Sequence, residues 1–501
     1  MAKDSKVFRL IKELSMSEKR HFKIFAEKHV IGEQNNYIIL FNTLDKEVVE
    51  DDDKILKKLE KKNYPTNYIS ADKNYLYQLI LKSLTHFHAG RNTKIQVREL
   101  LIQTEILYQK GLYDQCTKLV QKATKLSDNL EDPQIILECN NWIRKVMGPL
   151  IGAENVYDTI SEAKQIAQHT VEELDYLDLY YQTFILREKI NRSRDGGSIE
   201  KLEELMSHDL LTKSKPESLF ATVKYHQTWA QYYYIHSNHE DEYKHCNELI
   251  AAVESNKFFM KNYPFDYLAH KSRQLSVAKF ADQNNFLQLL KEFRKLDGSN
   301  YTTSKERYNF QIEYYASMSE LAFHVYQGNY ESLHDRIEKI RKDLEQFDRF
   351  LNNSAKVTFH YLFAYVYVAV GNPKQALKEI NTILNDFKVD DRPDLFHFAR
   401  LMNLIIHFEL ENVSLIPYLH KSTENFFKKN NSLYPFENLI MKFFKNVTED
   451  KNSKKLREDL EKLLAKMNEL KVDSTNTAAS LYFNIEKWIE SKVKSTTMSE
   501  L

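Results

Sequence analysis

The chain has 501 residues, 42% hydrophobic and 28% charged, with 71 basic and 71 acidic side chains. That balance excludes a polar disordered chain and removes any global attraction to nucleic acid or an anionic membrane. Ten glycines and nine prolines fall far below the usual shares of roughly 7% and 5%. Sheets and irregular loops need both residues for turns and long helices avoid them, so an all-α chain is the first inference. Cys116, Cys139 and Cys246 are widely spaced and offer no disulfide framework. The opening "MAKDSKVFRLIKELSMSEKR" has no apolar core of a signal peptide. No apolar run approaches the ~18 residues a membrane span needs. A cytoplasmic location is expected.

Residues 1–90 read as a helical capping domain, with helices at 4–14, 17–29, 36–48, 52–61 and 71–88. "SMSE" at 15–18 has the pattern of a capping box. Asp51, Asp52 and Asp53 suit the positive end of a short helix. Ser70 is an expected N-cap for the stripe Tyr75, Leu76, Leu79, Ile80 and Leu84. Residues 1–90 carry 16 basic and 13 acidic residues and no helix face built for base reading, so DNA contact is only an alternative for this segment.

Beyond residue 90 a turn recurs. "YQKGLYDQCTKLVQKA" around Gly111, "VYQGNYESLHDRIEKI" around Gly328 and "YVYVAVGNPKQALKEINTILND" around Gly371 each join two apolar-striped helices. Weaker versions centre on Gly152, Gly197, Asn238, Asn284 and Asn412, at separations of 41 to 46 residues. Asn substitutes for Gly at left-handed positions. Pro133, Pro216, Pro264, Pro393 and Pro435 supply a second turn between units, as do "DGSN" at 297–300 and "LNNS" at 351–354. Ahead of Gly371 the helix is apolar on two sides; after it, on one side only. A stacked hairpin array needs that asymmetry. Residues 91–495 are expected to form about nine helix pairs of period near 43, the last around Asn452, with 496–501 a disordered tail.

The Gly371 unit resembles a tetratricopeptide repeat. Ala364, Tyr367, Gly371 and Ala376 stand at that family's spacing, and Ile383 replaces its usual small residue. The Gly111 unit keeps Thr104, Gly111, Tyr113, Cys116 and Ala123. The whole chain also resembles long bacterial proteins of tetratricopeptide type. The resemblance implies a right-handed α-solenoid with a concave binding groove; it brings no activity. The period departs from that family's ~34, and HEAT-type repeats share ~40–47, but the glycine inside the hairpin argues against the latter.

No phosphate loop, dinucleotide fingerprint, nucleophile elbow or H-E-x-x-H motif is present. "IHSNHEDEYKHC" gathers His236, His239, His245 and Cys246 without a standard zinc spacing, so these are read as surface imidazoles and a small buried cysteine. His86 and His88, two apart on a helix, point apart. No enzyme, metal or cofactor is expected. The 30 tyrosines crowd the leading helices. In a tetratricopeptide-like array the concave groove would take Tyr225, Tyr232, Tyr315, Met318, Tyr361 and Tyr365. Tyrosine offers a broad apolar ring with one hydroxyl, which suits a peptide groove. The carboxylate clamp that this family uses on chaperone tails would find only Arg187 and Asn191. The expectation is a non-enzymatic scaffold binding a protein or extended peptide. The alternatives are a regulator with DNA-contacting N-terminal helices, and a self-assembling homo-oligomer.

Overall fold

The computed structural model describes all residues except 1–4, 28–35, 48–49, 91, 128–129, 131, 149–152, 194–195, 214, 299–304, 348–349, 431, 448–453 and 471–481. The described residues are all-α, without a strand. No helix among them is long and apolar enough to cross a membrane. The expected turn centres at Gly152 and Asn452 lie outside the described residues. Packing divides the chain into two compact units, Met1–Glu172 and Glu173–Leu501. The break expected at residue 90 falls inside the first unit.

The first unit opens with helices Lys6–Glu13, Met16–Glu27, Asn36–Lys46, Asp52–Glu60 and Ile69–Ala89 around Phe8, Phe22, Leu40, Phe41, Leu59 and Ile80. The capping box forms: the Ser15 amide donates to Glu18 Oε2 (2.7 Å), and the Glu18 amide to Ser15 Oγ (3.3 Å). Asp51 caps the fourth helix by accepting from the Lys54 amide. Ser70 is not a cap, because the fifth helix starts one residue earlier, at Ile69, behind Tyr68. Next comes the hairpin Thr93–Gln109 and Tyr113–Ser127, turned by Gly111 at φ +75°. Thr104, Cys116 and Ala123 are fully buried between its helices, where small side chains allow close approach.

The boundary lies inside one continuous helix, Ala153–Ser193. This helix is far longer than the Pro133–Trp142 helix on the other side of the expected Gly152 turn. These 41 residues contain neither glycine nor proline, so nothing breaks them.

The second unit continues with pairs of helices. They are Leu219–Ile235 and His239–Ser255, Pro264–Ala281 and Gln283–Arg294, Lys305–Gln327 and Tyr330–Glu345, Asn353–Ala369 and Pro373–Asp386, then Pro393–Glu409 and Ile416–Lys429. Pro435–Lys445, Lys454–Leu470 and Ile485–Val493 follow. From Pro264 onward each leading helix touches the next leading helix as well as its own partner. The Asn353–Ala369 helix is accordingly buried all round, whereas Pro373–Asp386 buries only Ala376, Glu379, Ile380 and Ile383.

The turns share one device. The residue after the left-handed position donates its amide five residues back: Leu112 to Leu107, Asn238 to Tyr233, Asn329 to His324, Asn372 to Tyr367 and Asn412 to His407, at 2.7–3.1 Å. This bond satisfies a helix-end carbonyl. Gly328 and Gly371 take the left-handed position in two turns, but Ser237 (φ 54°) and Glu411 (φ 62°) take it where Asn238 and Asn412 were expected. The asparagine stands one place later. Asn238 and Asn372 each accept from an amide of the following helix and cap it. At Asn284 the turn residue is instead Asp282, with φ −141°.

Carboxylates buried between helices tie neighbours together. Glu320, 2% exposed, is gripped by Arg294 (2.9 Å) and Arg336. Glu379 meets Arg341 (2.8 Å) and His360, and Glu437 meets His397 (3.1 Å). Glu242 is held by Arg273 and His239.

The tail expected to be disordered is packed. Met498 is 1% exposed, and the Ser499 amide donates to Ala369 O at 3.1 Å. Its polar composition hides one buried side chain and one helix-end carbonyl that needs a donor.

Candidate functional site

The expected groove tyrosines divide into two groups. Tyr361 and Tyr365 do not line an open groove. They are 2% and 3% exposed, covered by the chain's own segment 482–484. Tyr361 Oη donates to the main-chain oxygen of Tyr482 (3.2 Å), and the Asn484 amide donates to Tyr365 Oη (3.0 Å). Tyr482 stacks on Phe398 at 4.3 Å and donates to Asp394, while Phe483 packs on the Tyr365 ring at 4.8 Å. Burial pushes both the Tyr361 and Tyr365 phenols well above their ordinary pKa. The segment then becomes the Ile485–Val493 helix. Trp488 enters the core between Phe408 and Phe444, and its indole N–H donates to Glu409 at 2.7 Å. Residues 482–501 thus form an arm whose helix packs on Lys454–Leu470 and whose side chains and main chain reach the leading helices at Tyr361, Tyr365, Phe398 and Glu409.

The other four residues are half-buried. Tyr315 and Met318 pack against the clusters of their own helices. Tyr225 and Tyr232 pack on the cluster around Tyr176, Leu202 and Leu211, and the Tyr232 hydroxyl donates to Glu203. The one-residue slip of the left-handed position to Ser237 accounts for this placement. Counted from Ser237, the residues equivalent to Tyr361 and Tyr365 are Gln227 and Gln231. Gln227 faces Lys224 and His270. Gln231 is 5% exposed, and neither of its amide atoms has a hydrogen-bond partner among the described residues. Of the suggested carboxylate clamp, Arg187 instead lies over Phe184 at 4.6 Å, and the Asn191 side chain is outside the described residues.

The histidine-rich stretch is dispersed. His236 pairs with Glu203, His239 with Glu242, and Cys246 packs with Ala230 and Val277, its thiol pushed up to about 12 by burial. His245 alone joins a cluster, with His226 of the preceding helix and Glu248 one turn on. No local motif carries this cluster, because His226 and His245 are separated by 19 residues and a hairpin brings them together. Trp229 and Tyr233 stack on His245 at 5.9 and 5.6 Å, nearly parallel to it. Burial lowers the pKa of both imidazoles, His245 to about 4 with further help from His226.

Comparison with protein-family models, with curated proteins and with solved structures finds no match.

Proposed function

We propose that the protein is a non-enzymatic scaffold, an α-solenoid of tetratricopeptide-like helix pairs with a helical N-terminal cap. It binds an extended segment of a partner protein along the face made by the leading helices. The stacking of successive leading helices and the shared turn device support the architecture.

The observation that carries the binding reading is the arm. Two tyrosine hydroxyls on one leading helix hold the main chain of the turn at 482–484, one accepting an amide and one donating to a carbonyl. Such main-chain recognition with side chains seated between aromatic rings is a peptide-binding mode. Gln231 occupies the position equivalent to Tyr365, and its unpartnered buried amide can donate to one peptide group and accept from another. A partner segment would reach Gln231 by displacing what leaves it 5% exposed, and half-buried Gln227 marks the point of entry.

The test is an array of extended peptides presented to the full-length chain, followed by anisotropy titration of those retained. Retained peptides bind saturably, and Gln231→Ala weakens them about tenfold, the equivalent of ~1.4 kcal/mol, at unchanged melting temperature. Absence of saturable binding, or equal binding by Gln231→Ala, refutes the reading.

A further inference from the structure

The geometry points to a binding site for a divalent cation of the zinc type, formed by Nδ1 of His226, Nδ1 of His245 and a carboxylate oxygen of Glu248. This inference is independent of peptide binding. The two Nδ1 atoms are 2.9 Å apart, and Glu248 Oε2 lies 3.4 Å from the first and 3.9 Å from the second. Tetrahedral zinc with bonds of about 2.0–2.2 Å sets its ligands roughly 3.3 Å from one another. The three separations straddle that value. The set is two imidazoles and one carboxylate, which zinc accepts with a fourth ligand from solvent. Glu248, 46% exposed, gives that solvent access.

The site is preorganised. Both imidazoles are only 13–14% exposed, and the His245 plane is fixed by the Trp229 and Tyr233 rings. Two helices of one hairpin supply the ligands: His226 from Leu219–Ile235, His245 and Glu248 from His239–Ser255. One imidazole must act as donor to the other at 2.9 Å. A metal ion replaces that shared proton, takes both Nδ1 lone pairs and leaves the ring protons on Nε2.

A second hairpin shows what the same place holds elsewhere. His360 and Glu379 stand eleven residues before and eight after Gly371, as His226 and His245 stand relative to Ser237. There the Arg341 guanidinium completes the group beside Glu379 at 2.8 Å. In the His226 hairpin the facing residue is an imidazole, a metal ligand, in place of the carboxylate. The charged side chains that act on His245 from beyond the cluster are Lys244 and Asp241, of opposite sign, and Glu248 adds a negative charge that favours a cation.

The experiment uses the full-length chain stripped with chelator and titrated with Zn²⁺ by calorimetry and with Co²⁺ by visible absorption. One equivalent binds, Co²⁺ gives the intense ligand-field bands of a tetrahedral site, and Zn²⁺ raises the melting temperature. His226→Ala and His245→Ala abolish all three responses, while Cys246→Ala and His236→Ala retain them. Glu248→Gln, a change at a half-exposed side chain that leaves the core untouched, weakens Zn²⁺ by about tenfold or more. It keeps the test valid should a histidine variant fail to fold. Lack of one-equivalent binding, or undiminished binding by Glu248→Gln or by folded histidine variants, overturns the assignment.

Discussion

Trp488→Ala should release the arm. Trp488 is 1% exposed, lies 5.8 Å from Phe408 and 6.4 Å from Phe444, and shares the Glu409 carboxylate with Lys492. Emptying a buried tryptophan site costs about 3–5 kcal/mol. That figure already contains the lost bond to Glu409, worth about 1.5–3 kcal/mol. What remains to hold the arm is the packing of its helix on Lys454–Leu470, buried Ile485 and Ile489, Phe483, the Tyr361 and Tyr365 hydroxyls, and the 494–501 contacts. The expected outcome is local opening: amides of 484–499 exchange hydrogen several hundred-fold faster, consistent with ~3–4 kcal/mol. Protease then cuts at Lys487, Lys492 or Lys494 while the rest of the unit stays folded. Trp488→Phe, which keeps a ring and loses only the N–H, falls between. Hydrogen exchange by mass spectrometry reads both variants. If Trp488→Ala leaves exchange in 484–499 unchanged, or lowers stability by less than ~1 kcal/mol, the arm is not held as described.

Three further outcomes follow. Gly371→Ala should destabilise more than Gly111→Ala in thermal melts: both lose the ~1–2 kcal/mol that a left-handed backbone demands of a side chain, but at Gly371 the new Cβ meets Thr497 Cγ2 at 3.0 Å, whereas at Gly111 nothing lies within 4 Å. Glu320→Gln should cost about 3–5 kcal/mol by chemical denaturation, since it leaves Arg294 and Arg336 facing each other over a 2%-exposed side chain; Glu424→Gln, in the exposed pair with Lys428, should cost under ~1 kcal/mol. In chelator, stability should fall as pH drops from about 6.5 to about 4. Burial holds His270 at about 4, and the same cause with His226 beside it holds His245 there, so the unfolded chain takes up protons that the folded one refuses. The loss reaches about 3 kcal/mol for each, and a flat denaturation midpoint across that range would contradict the burial of these imidazoles.

Helix caps and turn chemistry were legible where one residue type decides the conformation. Ser15 with Glu18, Asp51, and Gly111, Gly328 and Gly371 all sit where the sequence places them. The slip at Asn238 and Asn412 arose because asparagine serves two positions equally well, left-handed residue and N-cap, and only the five-back amide bond separates them. Because of that slip, Gln231 and not Tyr232 is the counterpart of Tyr365. Between the expected turns at Gly152 and Gly197, residues 153–193 contain no breaker and form one helix. The arm was illegible because its contacts are non-local: nothing in 482–501 names the residues far upstream against which it lies. His226 was missed for the same reason, being one imidazole on a helix crowded with aromatics.

The hydrogen bonds from Tyr361 and Tyr365 reach partners 121 and 119 residues later in the chain. At a synthesis rate of about 5–20 residues per second, roughly 6 to 24 seconds separate the making of those phenols from the making of their cover. During that interval a nascent chain presents the bare rings of Tyr361 and Tyr365 to whatever surrounds the ribosome. Maturation of this region is thus a timed event, closed by a late-arriving stretch, and slowing translation after residue 445 should lengthen the window in which chaperones engage it.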